Sequence, residues 1–271
     1  MTDRPQYVLG HSEVEIERLE LQASIISGVT RRLIRKCGIQ RGMRVLDIGC
    51  GTGAVAMLLA EAVGDSGRVV AFDREARAIE IARARASAER RQIEFRVIAD
   101  ETMPDRPEFD AVFGRYILHH QSDPVAMLCR ARAAVRRGGI VAFHEPAGHV
   151  DAQTMPSIDL FVRLETCLNA AFAANLRQRD IAGRLTSAFL QAGLPAPRLI
   201  WEAIAGDQAS PLWRLASLTY RSMLPQIIRL GLLDDDVGDP DTLADRLTAA
   251  AAAARAQIVS KPQACAWAIR T

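Results

Sequence analysis

The stretch Arg44-Val45-Leu46-Asp47-Ile48-Gly49-Cys50-Gly51-Thr52-Gly53 decides how the chain folds. Val45, Leu46 and Ile48 form an apolar run that reads as a short buried strand. Three glycines at alternate positions follow. Ala54 to Ala62, rich in Ala and Leu, then reads as a helix. Such a strand–turn–helix corner is where an open α/β sheet binds its ligand. Glycine supplies the backbone angles of a tight turn and clears side chains from the ligand's path. The helix N-terminus adds unpaired N–H groups and the positive end of a dipole.

Two cofactor classes use a corner of this kind. Gly49-x-Gly51-x-x-Ala54, with Asp73 about twenty residues on, fits the loose dinucleotide fingerprint. Asp47 weighs against it, because a carboxylate ending the first strand repels a pyrophosphate. A ligand with an ammonium group and no phosphate meets no such repulsion. Val45–Gly53 resembles the first motif of class I S-adenosylmethionine (SAM)-dependent methyltransferases. SAM carries an ammonium, a sulfonium and no phosphate.

That resemblance covers residues 41–146 most closely. It implies an α/β fold: a Rossmann-like, mostly parallel seven-stranded sheet with its last strand antiparallel, helices on both faces and a helical cap. Residues 1–40 are then N-terminal lid helices, 41–146 the SAM-binding core, and 147–271 a helical cap with the remaining strands.

The resemblance also implies the cofactor contacts. Asp47, Gly49, Cys50, Gly51 and Gly53 form the first loop, Cys50 as a small filler. Asp73 ends a second strand, Arg68–Asp73, where it accepts from both ribose hydroxyls and also suits a helix N-cap. Arg74 covers the adenine edge. Asp100, beside Glu101 after a third strand (Ile93–Ile98), accepts the adenine amino group. The opening residues Tyr7, Leu9, Gly10, Glu15 or Glu17, Arg18 and Leu19 are similar to the start of small-molecule methyltransferases, where Tyr7 and Gln22 would face the methionine end of SAM. Ser12 with Glu15 reads as a capping box. The helix expected from Glu13 to about Lys36 then serves either as cover for a sheet edge or as a lid.

A fourth strand, Phe109–Gly114, runs into Arg115-Tyr116-Ile117-Leu118-His119-His120. In the family this segment faces the transferable methyl group. Histidine titrates near neutrality, so a general base is expected at His119 or His120. Neighbours on a helix point ~100° apart, so only one of the two enters the site. Glu145, ending a fifth strand Ile140–Pro146, orients that base or contacts substrate. Arg115 holds either the SAM carboxylate or a substrate anion. A helix is expected over Pro124–Arg137, stopped by Gly138-Gly139. Further helices are expected over Asp159–Gln178, Arg179–Leu190, Pro211–Leu230 and Thr242–Ala256, with strands over Arg198–Ile204 and Pro262–Ile269.

Composition narrows the partners. The 271 residues are 49% hydrophobic and 24% charged, an ordinary globular profile. A net charge of +2 gives no overall field for nucleic acid. Cys37, Cys50, Cys129, Cys167 and Cys265 are scattered with no CxxC pair, so neither a disulfide framework nor a metal site is indicated. There is no 18-residue apolar run and no signal-peptide core, so a cytoplasmic protein with no membrane association is expected, as monomer or homodimer. The implied activity is methyl transfer from SAM, with S-adenosylhomocysteine as product, to the O, N or C of a small molecule such as a specialised metabolite (natural product). A macromolecular acceptor and a non-methylating reaction such as cyclisation remain open on the same fold.

Overall fold

The computed structural model describes residues 13–98, 103 and 106–271. The chain divides into two units.

The larger unit takes in residues 28–147, 180–202 and 263–271 and holds a seven-stranded sheet. Its strands are β1 (Arg44–Ile48), β2 (Arg68–Asp73), β3 (Ile93–Val97), β4 (Phe109–Arg115), β5 (Val135–Pro146), β7 (Arg198–Glu202) and β10 (Gln263–Ile269). The order across the sheet is β3-β2-β1-β4-β5-β10-β7. The first five are parallel, while β10 runs antiparallel to both β5 and β7. Strand β1 pairs on both sides, which is why Val45, Leu46 and Ile48 are all fully buried instead of alternating. The chain steps from β1 to β2 on one side, and β4 lies on the other. The crevice at a topological switch point therefore opens beyond the ends of β1 and β4.

Helices α2 (Ala54–Val63), α3 (Ala76–Ala88), α4 (Pro124–Ala134) and α6 (Leu185–Gln191) belong to this unit. Helix α4 starts as its sequence dictates: Asp123 accepts from the Ala126 N–H at 2.9 Å, and Pro124 opens the first turn. It ends three residues earlier than the Gly138-Gly139 pair suggested. Val135 already pairs with Phe109, and the two glycines lie inside β5 beside a register shift. There a Cβ at Gly139 would stand 2.7 Å from the Asp110 carbonyl oxygen. The pair marks an irregular strand, not a helix stop. The helix expected from Arg179 is a 3₁₀ turn (Ile181–Arg184) followed by α6.

The second unit takes in, of the described residues, 13–27, 148–179 and 203–262. It contains α5 (Asp159–Asn175), α7 (Leu212–Arg229) and α8 (Pro240–Ala254), with the first half of α1 (Glu13–Cys37). Phe161, Leu164, Leu168, Trp213, Met223, Leu243 and Leu247 form its core. Phe161, Leu164 and Leu168 are the packed face of α5. A three-stranded sheet of β6 (Gln153–Met155), β9 (Gln257–Val259) and β8 (Ala205–Gly206) completes it. Strands of two or three residues leave no periodicity to read, and none of the three was expected. The Ser12 cap lies outside the described residues. Its supposed partner Glu15 is fully buried and takes a two-pronged pair from Arg18 and a hydrogen bond from Ser222.

Among the described residues no helix is long and apolar enough to cross a membrane.

Candidate functional site

The glycine loop leaves β1 through three left-handed turns of backbone, with φ of 61°, 52° and 83° at Gly49, Gly51 and Gly53. At Gly49 a Cβ would stand 2.3 Å from Ile117 Cδ1, the tip of a side chain that would have to turn aside, and the left-handed φ itself favours glycine. At Gly51 a Cβ would meet nothing within 4 Å. The space over that glycine is open, as a cradle for a ligand requires.

Asp73, at the end of β2, holds this loop. Its Oδ2 accepts from the Gly51 N–H at 2.8 Å and its Oδ1 from the Glu75 N–H at 3.0 Å. Each carboxylate oxygen accepts more than one bond, so the diol role and the loop-holding role are compatible. Arg74 lies beside it, half exposed and 3.6 Å from Glu75.

Asp47 is buried in the middle of the sheet's edge on the crevice. Its Oδ2 has no hydrogen-bond partner. Burial pushes this carboxyl up to about 8, opposed by the Arg115 guanidinium and reinforced by the Asp73 charge. A buried acceptor left unpaired is costly unless something binds it. Arg115, ending β4, is the matching cation. Its Nη1 donates to Thr30 Oγ1 at 3.2 Å, and it forms no ion pair among the described residues. Burial lowers its affinity for its proton, while Asp47 raises it. A carboxylate with one oxygen unfilled and a guanidinium without an ion pair, at one crevice, fit a zwitterion, and they fit a pyrophosphate poorly. The SAM ammonium would satisfy Asp47.

Beyond Arg115, Tyr116 takes a left-handed φ of 61°, with its N–H donating to the His144 carbonyl at 2.8 Å. A residue with a Cβ held there costs about 1–2 kcal/mol. The chain then makes a 3₁₀ turn, Leu118–His120. Glu145 organises that turn. Its Oε1 accepts from the Ile117 and Leu118 N–H groups at 3.0 and 2.9 Å. Its Oε2 lies 2.7 Å from His119 Nδ1. Nδ1–H donating to the carboxylate leaves the lone pair on Nε2, the tautomer a general base needs. The structure thus brings His119 and Glu145 together. His120 is exposed, its ring 4.0 Å from that of His119.

A further polar group lies behind this turn. His144 is fully buried, with Nδ1 3.2 Å from Thr30 Oγ1 and Nε2 3.0 Å from Gln263 Oε1. The same amide oxygen accepts from the Tyr116 hydroxyl at 2.6 Å. Because that oxygen only accepts, His144 carries its proton on Nε2, and its Nδ1 accepts from Thr30. Burial, with the Arg115 charge, pushes His144 down to about 3, so it is neutral. Neither His144, Thr30 nor Gln263 sits in a motif. The one sequence signal was polarity out of place: a His in the apolar run Ile140–Phe143, and a Thr on the stripe of Ile26 and Leu33.

Of the other expected contacts, Gln22 belongs to the second unit and accepts from Arg18 at 3.2 Å. Tyr7, Asp100 and Glu101 lie outside the described residues. Among the described residues no three His, Cys, Asp or Glu side chains group as a metal site would require.

Comparison with known proteins points to a methyltransferase domain. A family model described as a methyltransferase domain matches residues 39–183. The chain is 40% identical over 119 residues to the aklanonic acid methyltransferase DauC of Streptomyces sp., covering 43% of this chain and 54% of that protein. It is 36% identical over 105 residues to a ubiquinone biosynthesis O-methyltransferase of Idiomarina loihiensis, covering 38% and 42%. The chain thus spans about half the length of these curated relatives. Among solved structures, the BH2331 protein of Bacillus halodurans superposes with a TM-score of 0.61 at 19% identity, over 89% of this chain and 99% of that one, a likeness of fold.

Proposed function

The chain belongs to the class I SAM-dependent methyltransferase-domain family, and from that premise we propose that it binds SAM and methylates a small molecule, a specialised metabolite by class. The observation that carries the reading is Asp47: a buried carboxylate oxygen without a partner, at the switch point, beside a glycine with open space above it. Bound SAM supplies a methyl group already activated on a sulfonium. The chain's own task is to align the acceptor, which is worth up to ~7–11 kcal/mol of barrier.

In this reading Asp47 holds the ammonium and Arg115 the carboxylate, while Asp73 accepts from the ribose hydroxyls and keeps Gly51 in place. Arg74 flanks the adenine, whose amino group falls to Asp100, next to Glu101. Gly49, Cys50 and Gly53 shape the loop. His119 Nε2 takes the proton of an acceptor hydroxyl, and Glu145 fixes the ring that does so. The DauC relative, whose name gives aklanonic acid as what it methylates, supports an organic acid as acceptor.

Calorimetric titration of the chain with SAM, before and after Asp73→Ala, tests the binding half. Tight binding lost by tenfold or more in the variant is expected, by the size of charge-assisted hydrogen bonds. For the transfer half, the chain is incubated with SAM and a panel of hydroxylated aromatic acids, and S-adenosylhomocysteine is measured. SAM binding without product release across such a panel would instead point to a non-methylating reaction.

A further inference from the structure

Arg115 presents a guanidinium with five N–H donors, of which the described structure uses one, on Thr30. Thr30 in turn lies against one nitrogen of His144, whose other nitrogen is engaged by Gln263, the residue that also takes the Tyr116 hydroxyl. Five polar side chains from α1, β4, β5 and β10 thus run as one hydrogen-bonded line through the unit. Arg115 is at one end and Tyr116 at the other. Their consecutive positions place both arms of the line on one short stretch of backbone. That stretch is bent by the left-handed Tyr116 and tied by its N–H to His144 itself.

We propose that His144 is a positioning residue for ligand capture: through Thr30 it aims Arg115 at the carboxylate of the cofactor's amino-acid end, and through Gln263 it anchors the turn that carries Arg115. The proposal rests on the SAM reading above. It assigns His144 no proton transfer. A neutral ring spanning two fixed partners does what a longer, flexible side chain cannot, since imidazole holds its two nitrogens at a set separation. Thr30 is needed because an arginine without an oriented acceptor behind it keeps many rotamers, and the ligand must then freeze them.

The experiment uses the full chain and two nucleosides. S-adenosylhomocysteine carries the amino-acid end, and 5′-methylthioadenosine lacks it. Affinities are measured by calorimetry for wild type, Thr30→Val, Thr30→Ser, His144→Asn and His144→Gln. Thr30→Val should weaken S-adenosylhomocysteine about tenfold, the size of one hydrogen bond to a charged group, and leave 5′-methylthioadenosine within about twofold. Thr30→Ser should restore the difference. Asparagine places its amide near the Nδ1 position and glutamine near Nε2. His144→Asn should therefore keep the preference for the amino-acid ligand, and His144→Gln should lose it. If the His144 variants do not fold, the two Thr30 variants carry the test alone.

Equal weakening of both nucleosides in Thr30→Val would overturn the proposal, because a merely structural loss does not discriminate between them. So would an unchanged preference in that variant. If wild type binds neither nucleoside, the SAM reading itself fails, and this inference goes with it.

Discussion

His119 Nδ1 and Glu145 Oε2 lie 2.7 Å apart, and the same carboxylate caps the turn on which His119 stands. One side chain therefore sets both where the imidazole is and which of its nitrogens is bare. Glu145→Gln separates the two effects. The amide oxygen still accepts from Ile117 and Leu118, but the amide N–H₂ now faces Nδ1 and draws the lone pair there. Turnover with an oxygen acceptor should fall about 10²-fold or more, by the usual size of acid–base catalysis. The melting temperature should move by only a few degrees. A loss of turnover below about tenfold would mean that Glu145 acts only as a cap.

Asp47 couples stability to pH in the direction opposite to most carboxylates. Its folded value of about 8 lies above the ordinary 3.8. Between those values the native chain keeps a proton that the unfolded chain releases. Ligand-free stability at this site is therefore full below about pH 4 and declines as pH rises toward 8. Asp47→Asn should remove that decline and raise ligand-free stability at pH 8, while lowering SAM affinity tenfold or more. In wild type an ammonium partner pulls the carboxyl down again, so binding at pH 7 should release up to one proton. The heat of binding should then differ between buffers of different ionisation enthalpy, and no difference would contradict the assignment.

His144 works the other way. Held near 3 against an ordinary 6.5, it is neutral where the unfolded chain's histidine is charged. Its contribution is present above about pH 6.5 and is lost as pH falls toward 3. Urea titrations between pH 4 and 6 should show stability falling steadily as the pH is lowered, with this site contributing to the slope. His144→Asn should flatten that slope.

Two glycines of one loop should fail differently. Gly49→Ala brings a left-handed φ and also makes the end of the Ile117 side chain turn aside, so it should lower the melting temperature somewhat more than Gly51→Ala does. Gly51→Ala has the strained φ but open space, so its stability loss should be about 1 kcal/mol. Its methyl stands where the nucleoside is expected, and SAM affinity should drop more than stability does. Thermal melts with and without SAM distinguish the two patterns.

How much of this was legible beforehand follows the physics of each signal. The β1 run and the glycines were readable because burial on both faces and left-handed backbone each demand particular residues. Asp73 and Glu145 were readable as acids at strand ends on one edge, and a histidine near Glu145 was readable too, but not whether it is His119 or His120. The Gly138-Gly139 pair misled, since glycine stops a helix and kinks a strand with equal ease. Only the pairing of Val135 with Phe109 decides between them. The line through Thr30, His144 and Gln263 was not legible as a line: misplaced polarity flags Thr30 and His144 but not their contact. Its members are 114 and 119 positions apart, and nothing local distinguishes them from stray polar residues.

Tyr116 stands where glycine would relax the backbone, and its phenol is tied to Gln263, 147 positions later. The two residues should therefore be changed together. Once Gln263 loses its amide oxygen, the bent phenol has lost a reason to stay, and the position becomes open to glycine or asparagine. Redesign of this crevice should accordingly mutate positions 116 and 263 together, as a matched couple, and score the pair instead of either alone.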